Sequence, residues 1–116
     1  MYDFYWYPKC STCRKAKAFL EAKKISLQTI DLTQTPPTKS QFLDWFERFP
    51  MKKFFNTSGQ VYRGMQLKDR MNTLSANEAA ELLSQHGMLI KRPLLVAADG
   101  RIVQIGFKES EYQKIK

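Results

Sequence analysis

The sequence predicts a mixed α/β fold, a four-stranded sheet flanked by helices with a helical insertion at about residues 35–88. Three observations predict it. An aromatic run at residues 2–7 is followed by a helix-forming stretch and then an alternating apolar run, the order of a parallel strand–helix–strand unit. Thr38-Lys39-Ser40-Gln41 and Ser75-Ala76-Asn77-Glu78 have the form of capping boxes, which open helices in the middle of the chain. Two further apolar runs joined through Asp99-Gly100 read as an antiparallel hairpin. With 116 residues, 43% of them apolar, the chain can fill one core, and a single domain over residues 1–116 is expected.

The elements follow in order. Residues 2–7, Tyr-Asp-Phe-Tyr-Trp-Tyr, favour a pleated surface, and Pro8 ends this first, buried strand. From Ser11 to Lys24 helix formers dominate, with Ala16, Phe19 and Leu20 on one face and lysines at the end. Residues 25–32 alternate apolar and polar and form the second strand. Pro36-Pro37 breaks the chain; Phe42, Trp45, Phe46 and Phe49 then recur as the apolar stripe of a helix that Pro50 stops. Between Met51 and Thr73, Asn56-Thr57-Ser58-Gly59 and Asn72 mark turns between short helical pieces. The helix opened at Ser75 turns Ala79, Leu82 and Leu83 inward, and Gly87 is placed to cap its C-terminus. After Pro93 come strands at 94–97 and 102–105, and residues 108–115 interleave charges with Tyr112 and Ile115 as a short terminal helix. This is thioredoxin-like organisation with an insertion between its two halves.

Composition narrows the functional classes. Lys and Arg outnumber Asp and Glu 19 to 11, a net charge of +8, but the basic residues are scattered in ones and twos. They form either a solvated surface or a face for an acidic protein partner; direct nucleic-acid binding is not expected. No run approaches the roughly 18 apolar residues of a membrane span, and Met1-Tyr2-Asp3-Phe4 does not start a signal peptide, so a cytoplasmic protein without membrane attachment is expected. The only two cysteines lie three positions apart and cannot staple distant segments, which excludes the disulfide framework of a small secreted domain.

Those cysteines carry the chemistry. Cys10-Ser11-Thr12-Cys13 lies between a strand and the first turn of a helix. A helix N-terminus carries about half a positive charge and unsatisfied amides, so a thiolate there is stabilised. Cys10 is therefore expected to have a pKa below the ~8.5 of a free thiol, with Lys9 and Arg14 adding cationic field. Cys13, one turn on, is placed to attack a mixed disulfide formed at Cys10 and close a Cys10–Cys13 bridge. A zinc half-site and two incidental thiols are the other readings. The sole histidine, His86, cannot complete a common Cys/His zinc set in one chain, and no metal is expected. Beside Gly87 at a helix end, His86 reads as a group serving carbonyls rather than as a base for Cys10. Lys91-Arg92-Pro93, before the hairpin, admits two readings. It is either an exposed basic pair or a cis proline bringing Arg92 to the thiolate or to an oxyanion held by the Ser11 and Thr12 amides.

The run Tyr7-Pro8-Lys9-Cys10-Ser11-Thr12-Cys13-Arg14-Lys15-Ala16, the helix start at Pro36-Pro37-Thr38 and Lys91-Arg92-Pro93-Leu94 resemble the arsenate reductase (ArsC) family, which includes the Spx transcriptional regulators. The resemblance runs nearly end to end. It implies a thioredoxin-like fold, a catalytic cysteine at Cys10, a cis Pro93 and an oxyanion contact by Arg92. Where the family's arsenate reductases carry two further arginines, this chain reads Phe54-Phe55-Asn56-Thr57-Ser58-Gly59 and Gln104-Ile105-Gly106-Phe107-Lys108. At ~1.5 to 3 kcal/mol for each charge-assisted hydrogen bond, their loss weakens arsenate binding by several kcal/mol. Those reductases lack a cysteine at the position of Cys13, whereas Spx has a Cys-x-x-Cys switch and binds the RNA polymerase alpha subunit. Glu47 to Lys53 lacks the glycine that Spx presents to the polymerase.

The expected function is thiol–disulfide oxidoreduction by Cys10 and Cys13 in an arsenate reductase-like monomer. The substrate would be a thiol or disulfide protein or a small oxidised molecule. No cofactor is expected to be bound, and glutathione with glutaredoxin, or thioredoxin, would supply electrons. The alternative is a Spx-like redox-sensing regulator that binds the RNA polymerase alpha subunit, and residual arsenate reduction is a third reading.

Overall fold

A computed structural model describes residues 1–115. Along the chain run β1 (Tyr2–Trp6), α1 (Ser11–Ala22), β2 (Leu27–Asp31), α2 (Lys39–Phe46), α3 (Gln60–Gly64), α4 (Leu67–Arg70), α5 (Ala76–Gln85), β3 (Leu94–Val96), β4 (Ile102–Ile105) and α6 (Glu109–Tyr112). Short 3-10 turns occupy Met51–Phe54 and Gly87–Leu89. The four strands form one mixed sheet in the order β2-β1-β3-β4. In β1, Phe4 faces Thr29 of parallel β2 on one side and Leu95 of antiparallel β3 on the other. The chain divides into two units: Met1–Asp31 together with the chain from Arg92 onward, and Leu32–Lys91.

The first unit holds the sheet, α1 and α6. Its core gathers Phe4 from β1, Ala16 and Leu20 from α1, Leu95 from β3, and Tyr112 and Ile115 from the C-terminal end. The aromatic content of residues 2–7 thus does what the sequence suggests: Phe4 and Tyr5 are buried in the central strand. Tyr112 is the largest fully buried side chain, and its hydroxyl donates to the Gly106 carbonyl at 3.1 Å. That bond removes the cost of burying a phenol without a partner. The hairpin pairs Leu94 with Ile105 and, past an irregularity between Leu95 and Val96, Val96 with Ile102. Gly100 turns the loop at φ +92°, a conformation that glycine adopts without strain. At the end of α1, Lys23 donates to the Tyr112 carbonyl at 2.9 Å and the Gln113 carbonyl at 2.7 Å, meeting orphan acceptors at the end of α6.

The second unit is helical. Both expected capping boxes form: Thr38 accepts from the Gln41 amide at 3.2 Å, and Ser75 accepts from the Glu78 amide at 3.1 Å. Phe42, Trp45 and Phe54 meet in its core, with the Trp45 and Phe54 rings stacked at 11° and 6.0 Å. The ambiguous middle resolves into the 3-10 turn and the short α3 and α4.

Three expectations need correction. Helix α2 ends at Phe46 instead of continuing to Phe49, because Pro50 keeps the residue before it out of the helical region and the chain tightens into turns after Asp44. In α5, Ala80 is fully buried beside Ala79 and Leu83, while Leu82 is half-exposed. Gly87 is not the cap of α5; His86 takes that position, and Gly87 begins the next turn. What requires glycine there is a close approach, since a Cβ on residue 87 would overlap the carbonyl oxygen of Leu32.

Candidate active site

Cys10 is the N-cap residue of α1, in extended backbone at φ −87° and ψ 121°. Its main-chain N–H donates to the Tyr7 carbonyl at 2.9 Å, and its own carbonyl accepts the Arg14 amide at 3.1 Å as the helix begins. The loop Pro8-Lys9 therefore closes as a tight turn that delivers Cys10 from the end of the central strand to the start of the helix. Ser11, Thr12 and Cys13 occupy the first helical positions, where amides have no intrahelical acceptor.

The two thiols are free and differently placed: Cys10 is half-exposed, and Cys13 is fully buried. Burial pushes the Cys10 thiol up, but the Cys13 amide, the Cys13 thiol and the Arg92 guanidinium each lie where they favour its anion. Together with the Arg92 charge they outweigh burial, so the Cys10 pKa lies below that of an ordinary thiol. No side-chain cap bond of full geometry runs from Cys10 to the helix. The Cys13 amide nevertheless faces the sulfur closely enough to favour its anion. Cys13 moves the other way. Burial pushes its thiol up to about 12; the Tyr7 main-chain amide opposes that, while the hydrogen bond and negative charge of Cys10 reinforce it.

Arg92 reaches Cys10 because it directly precedes β3, and β3 lies beside β1, the strand that leads into the cysteine loop. The Arg92–Pro93 peptide is cis, as the resemblance implies, and Pro93 is buried. The Arg92 guanidinium lies over the Tyr7 ring, 5.4 Å from its centroid. Lys9 and Arg14 are exposed and are not among the groups that move the Cys10 pKa. His86 lies in the second unit, as the cap of α5. Among the described residues, no group of three or more His, Cys, Asp or Glu side chains is arranged to hold a metal ion.

Tyr7 is the residue whose part the sequence does not reveal. Its carbonyl accepts from Cys10, its amide meets the Cys13 sulfur and its ring carries Arg92. In the sequence it is one more aromatic residue in an aromatic strand, and no periodicity distinguishes it.

Comparison with known proteins agrees with this geometry. The ArsC family profile matches residues 5–115. The chain is 46% identical to YusI of Bacillus subtilis (strain 168), covering 96% of this chain and 94% of that one. It is 26% identical to the global transcriptional regulator Spx of Streptococcus agalactiae serotype V, covering 96% of this chain and 80% of Spx. Among solved structures, a possible arsenate reductase from Streptococcus mutans UA159 superposes with a TM-score of 0.89 at 54% identity, covering 93% of this chain and 92% of that one. No helix among the described residues is long and apolar enough to cross a membrane.

Proposed function

The chain belongs to the ArsC family, and from that premise we propose that it is a thiol–disulfide oxidoreductase in which Cys10 attacks and Cys13 resolves. The observation that carries this reading is the opposite displacement of two neighbouring thiols, Cys10 toward the anion and Cys13 toward the protonated form. A half-exposed thiolate is a nucleophile, and a buried thiol beside it waits as the second reactant.

In the first step the Cys10 thiolate attacks one sulfur of a substrate disulfide. A Cys10–substrate bond forms, the substrate S–S bond breaks, and the electron pair leaves on the other substrate sulfur. Bonded in this way, Cys10 no longer offers Cys13 a negative charge or an acceptor, so two of the influences holding Cys13 protonated vanish while the Tyr7 amide remains to stabilise its anion. Cys13 loses its proton and attacks the Cys10 sulfur. The Cys10–Cys13 bond forms and the second substrate thiolate departs, two electrons having passed from the protein dithiol to the substrate. A dithiol system of the glutaredoxin or thioredoxin class, or glutathione itself, restores the pair. Such systems keep thiols reduced in the cytoplasm, which is the compartment this reading requires.

Arg92 and the Ser11 and Thr12 amides serve the anionic sulfur, or an oxyanion in its place, and the protein works as a monomer on a protein disulfide or a small oxidised substrate. Cys10→Ser is expected to abolish disulfide reduction, and Cys13→Ser to accumulate a mixed disulfide seen by non-reducing mass spectrometry. Full activity in both variants would overturn the assignment.

The similarity to Spx supports a second reading, in which oxidation of the same pair governs binding to the RNA polymerase alpha subunit. Pull-downs with reduced and oxidised protein test it: recovery of the alpha subunit from only one redox state supports it, and recovery from neither removes it.

A further inference from the structure

Arg92 is one of the groups that lower the Cys10 pKa, and its long, flexible side chain also meets the Tyr7 ring. Tyr7 ends the run that begins in the central strand. Its backbone is fixed on both sides of the cysteine loop, by the Cys10 amide at its carbonyl and by the Cys13 sulfur at its amide. Its ring is half-buried and meets the Arg92 guanidinium at 5.4 Å, within the roughly 6 Å over which a ring face attracts a cation. Arginine suits this arrangement where lysine would not, because its planar guanidinium can lie against a ring while its N–H groups point elsewhere.

We propose that the Tyr7 ring is a positioning group for Cys10: by attracting the Arg92 guanidinium over its face it holds that cation beside the sulfur and so tunes the reactivity of the thiol. The role belongs to the ring and not to its hydroxyl. It rests on the reading of Cys10 as the reactive thiolate, and it extends that reading by making an aromatic residue with no ionisable part in the reaction a determinant of the rate.

The titratable groups facing the Cys10 sulfur are Cys13 from α1 and Arg92 before β3, so a pH profile of Cys10 reports on them directly. The test is the rate of iodoacetamide alkylation at Cys10, followed by peptide mass spectrometry from pH 4 to 10 on the reduced full chain. A ring face contributes about 0.5 to 1 kcal/mol at a partly exposed site, so Tyr7→Leu should lower the thiolate fraction below the pKa about two- to fivefold. Tyr7→Phe and Tyr7→Trp should keep the profile of the unsubstituted protein, which a general loss of packing would not predict. In an Arg92→Gln background, Tyr7→Leu should have no further effect. An unchanged profile in Tyr7→Leu, a Tyr7→Phe profile like that of Tyr7→Leu, or additivity with Arg92→Gln would each overturn the role of Tyr7 alone. An ordinary thiol pKa in the unsubstituted protein would instead overturn the redox reading on which it rests.

Discussion

Replacing Arg92 by Gln tests the electrostatic core of the site. The substitution leaves a shorter, neutral amide and removes the charge. A hydrogen bond to a charged group contributes ~1.5 to 3 kcal/mol where water is excluded. Cys10 is only half-buried, so solvent screens the interaction, and about 1 kcal/mol is the appropriate expectation. At 1.36 kcal/mol for each pKa unit, that raises the Cys10 pKa by roughly 0.7 and lowers its ionisation constant about fivefold. Arg92→Lys, which restores the charge without the planar fork, should fall between the two. Thiolate absorbance near 240 nm, titrated on reduced protein in a Cys13→Ala background, measures the shift. Stability supplies an independent check with a fixed sign. A pKa lowered by folding adds stability that is complete above the ordinary thiol pKa and is lost as the pH falls through the folded value. The stability lost in Arg92→Gln should therefore be larger at alkaline pH than near pH 5, where only the pH-independent contacts of Arg92, such as that with the Tyr7 ring, are missing. A Cys10 titration unmoved by Arg92→Gln would refute the claim that Arg92 sets the acidity of the site.

Cys13 predicts the opposite sign: folding raises its thiol from the ordinary range to about 12, so reduced protein should lose stability as the pH rises through the ordinary thiol range toward 12. Cys13→Ala should flatten that decline in urea titrations, leaving the smaller contribution of buried Tyr112, whose hydroxyl is also shifted upward by burial. Gly87→Ala places a Cβ against the Leu32 carbonyl and should cost about 1 to 3 kcal/mol or more, read as a lowered thermal midpoint. Tyr112→Phe removes the hydroxyl that donates to the buried Gly106 carbonyl and should cost about 1 to 3 kcal/mol by the same measurement.

What the sequence made legible is what short-range chemistry decides. Thr38 with Gln41 and Ser75 with Glu78 lie three positions apart and form their reciprocal bonds within a single turn, so both helix starts were readable. The strand–helix–strand order and the hairpin around Gly100 were readable for the same reason. The role of Gly87 is not legible locally because its constraint comes from Leu32, far away in the chain, and a C-terminal cap is the commoner reason for a glycine at that position. The inward face of α5 was read from leucines, but close packing selected the small Ala80 over Leu82. The placement of Cys10 at a helix N-terminus was readable, since strand and helix lie on either side of it. Which cation reaches it stays open in the sequence: Lys9 and Arg14 are neighbours and Lys91-Arg92-Pro93 admits two readings, and it is the pairing of β1 with β3 that brings Arg92 there. Tyr7 stayed hidden because its contacts depend on that same pairing.

The discontinuity of the first unit has a consequence for the newly made chain. Cys10 and Cys13 leave the ribosome early, but Arg92 follows Cys10 by 82 positions, a delay of roughly 4 to 16 s at about 5 to 20 residues per second. During that interval β1 lacks its β3 neighbour, and the guanidinium that acidifies Cys10 has not yet been synthesised. The set of groups that lower the Cys10 pKa is therefore complete only once translation has passed Arg92.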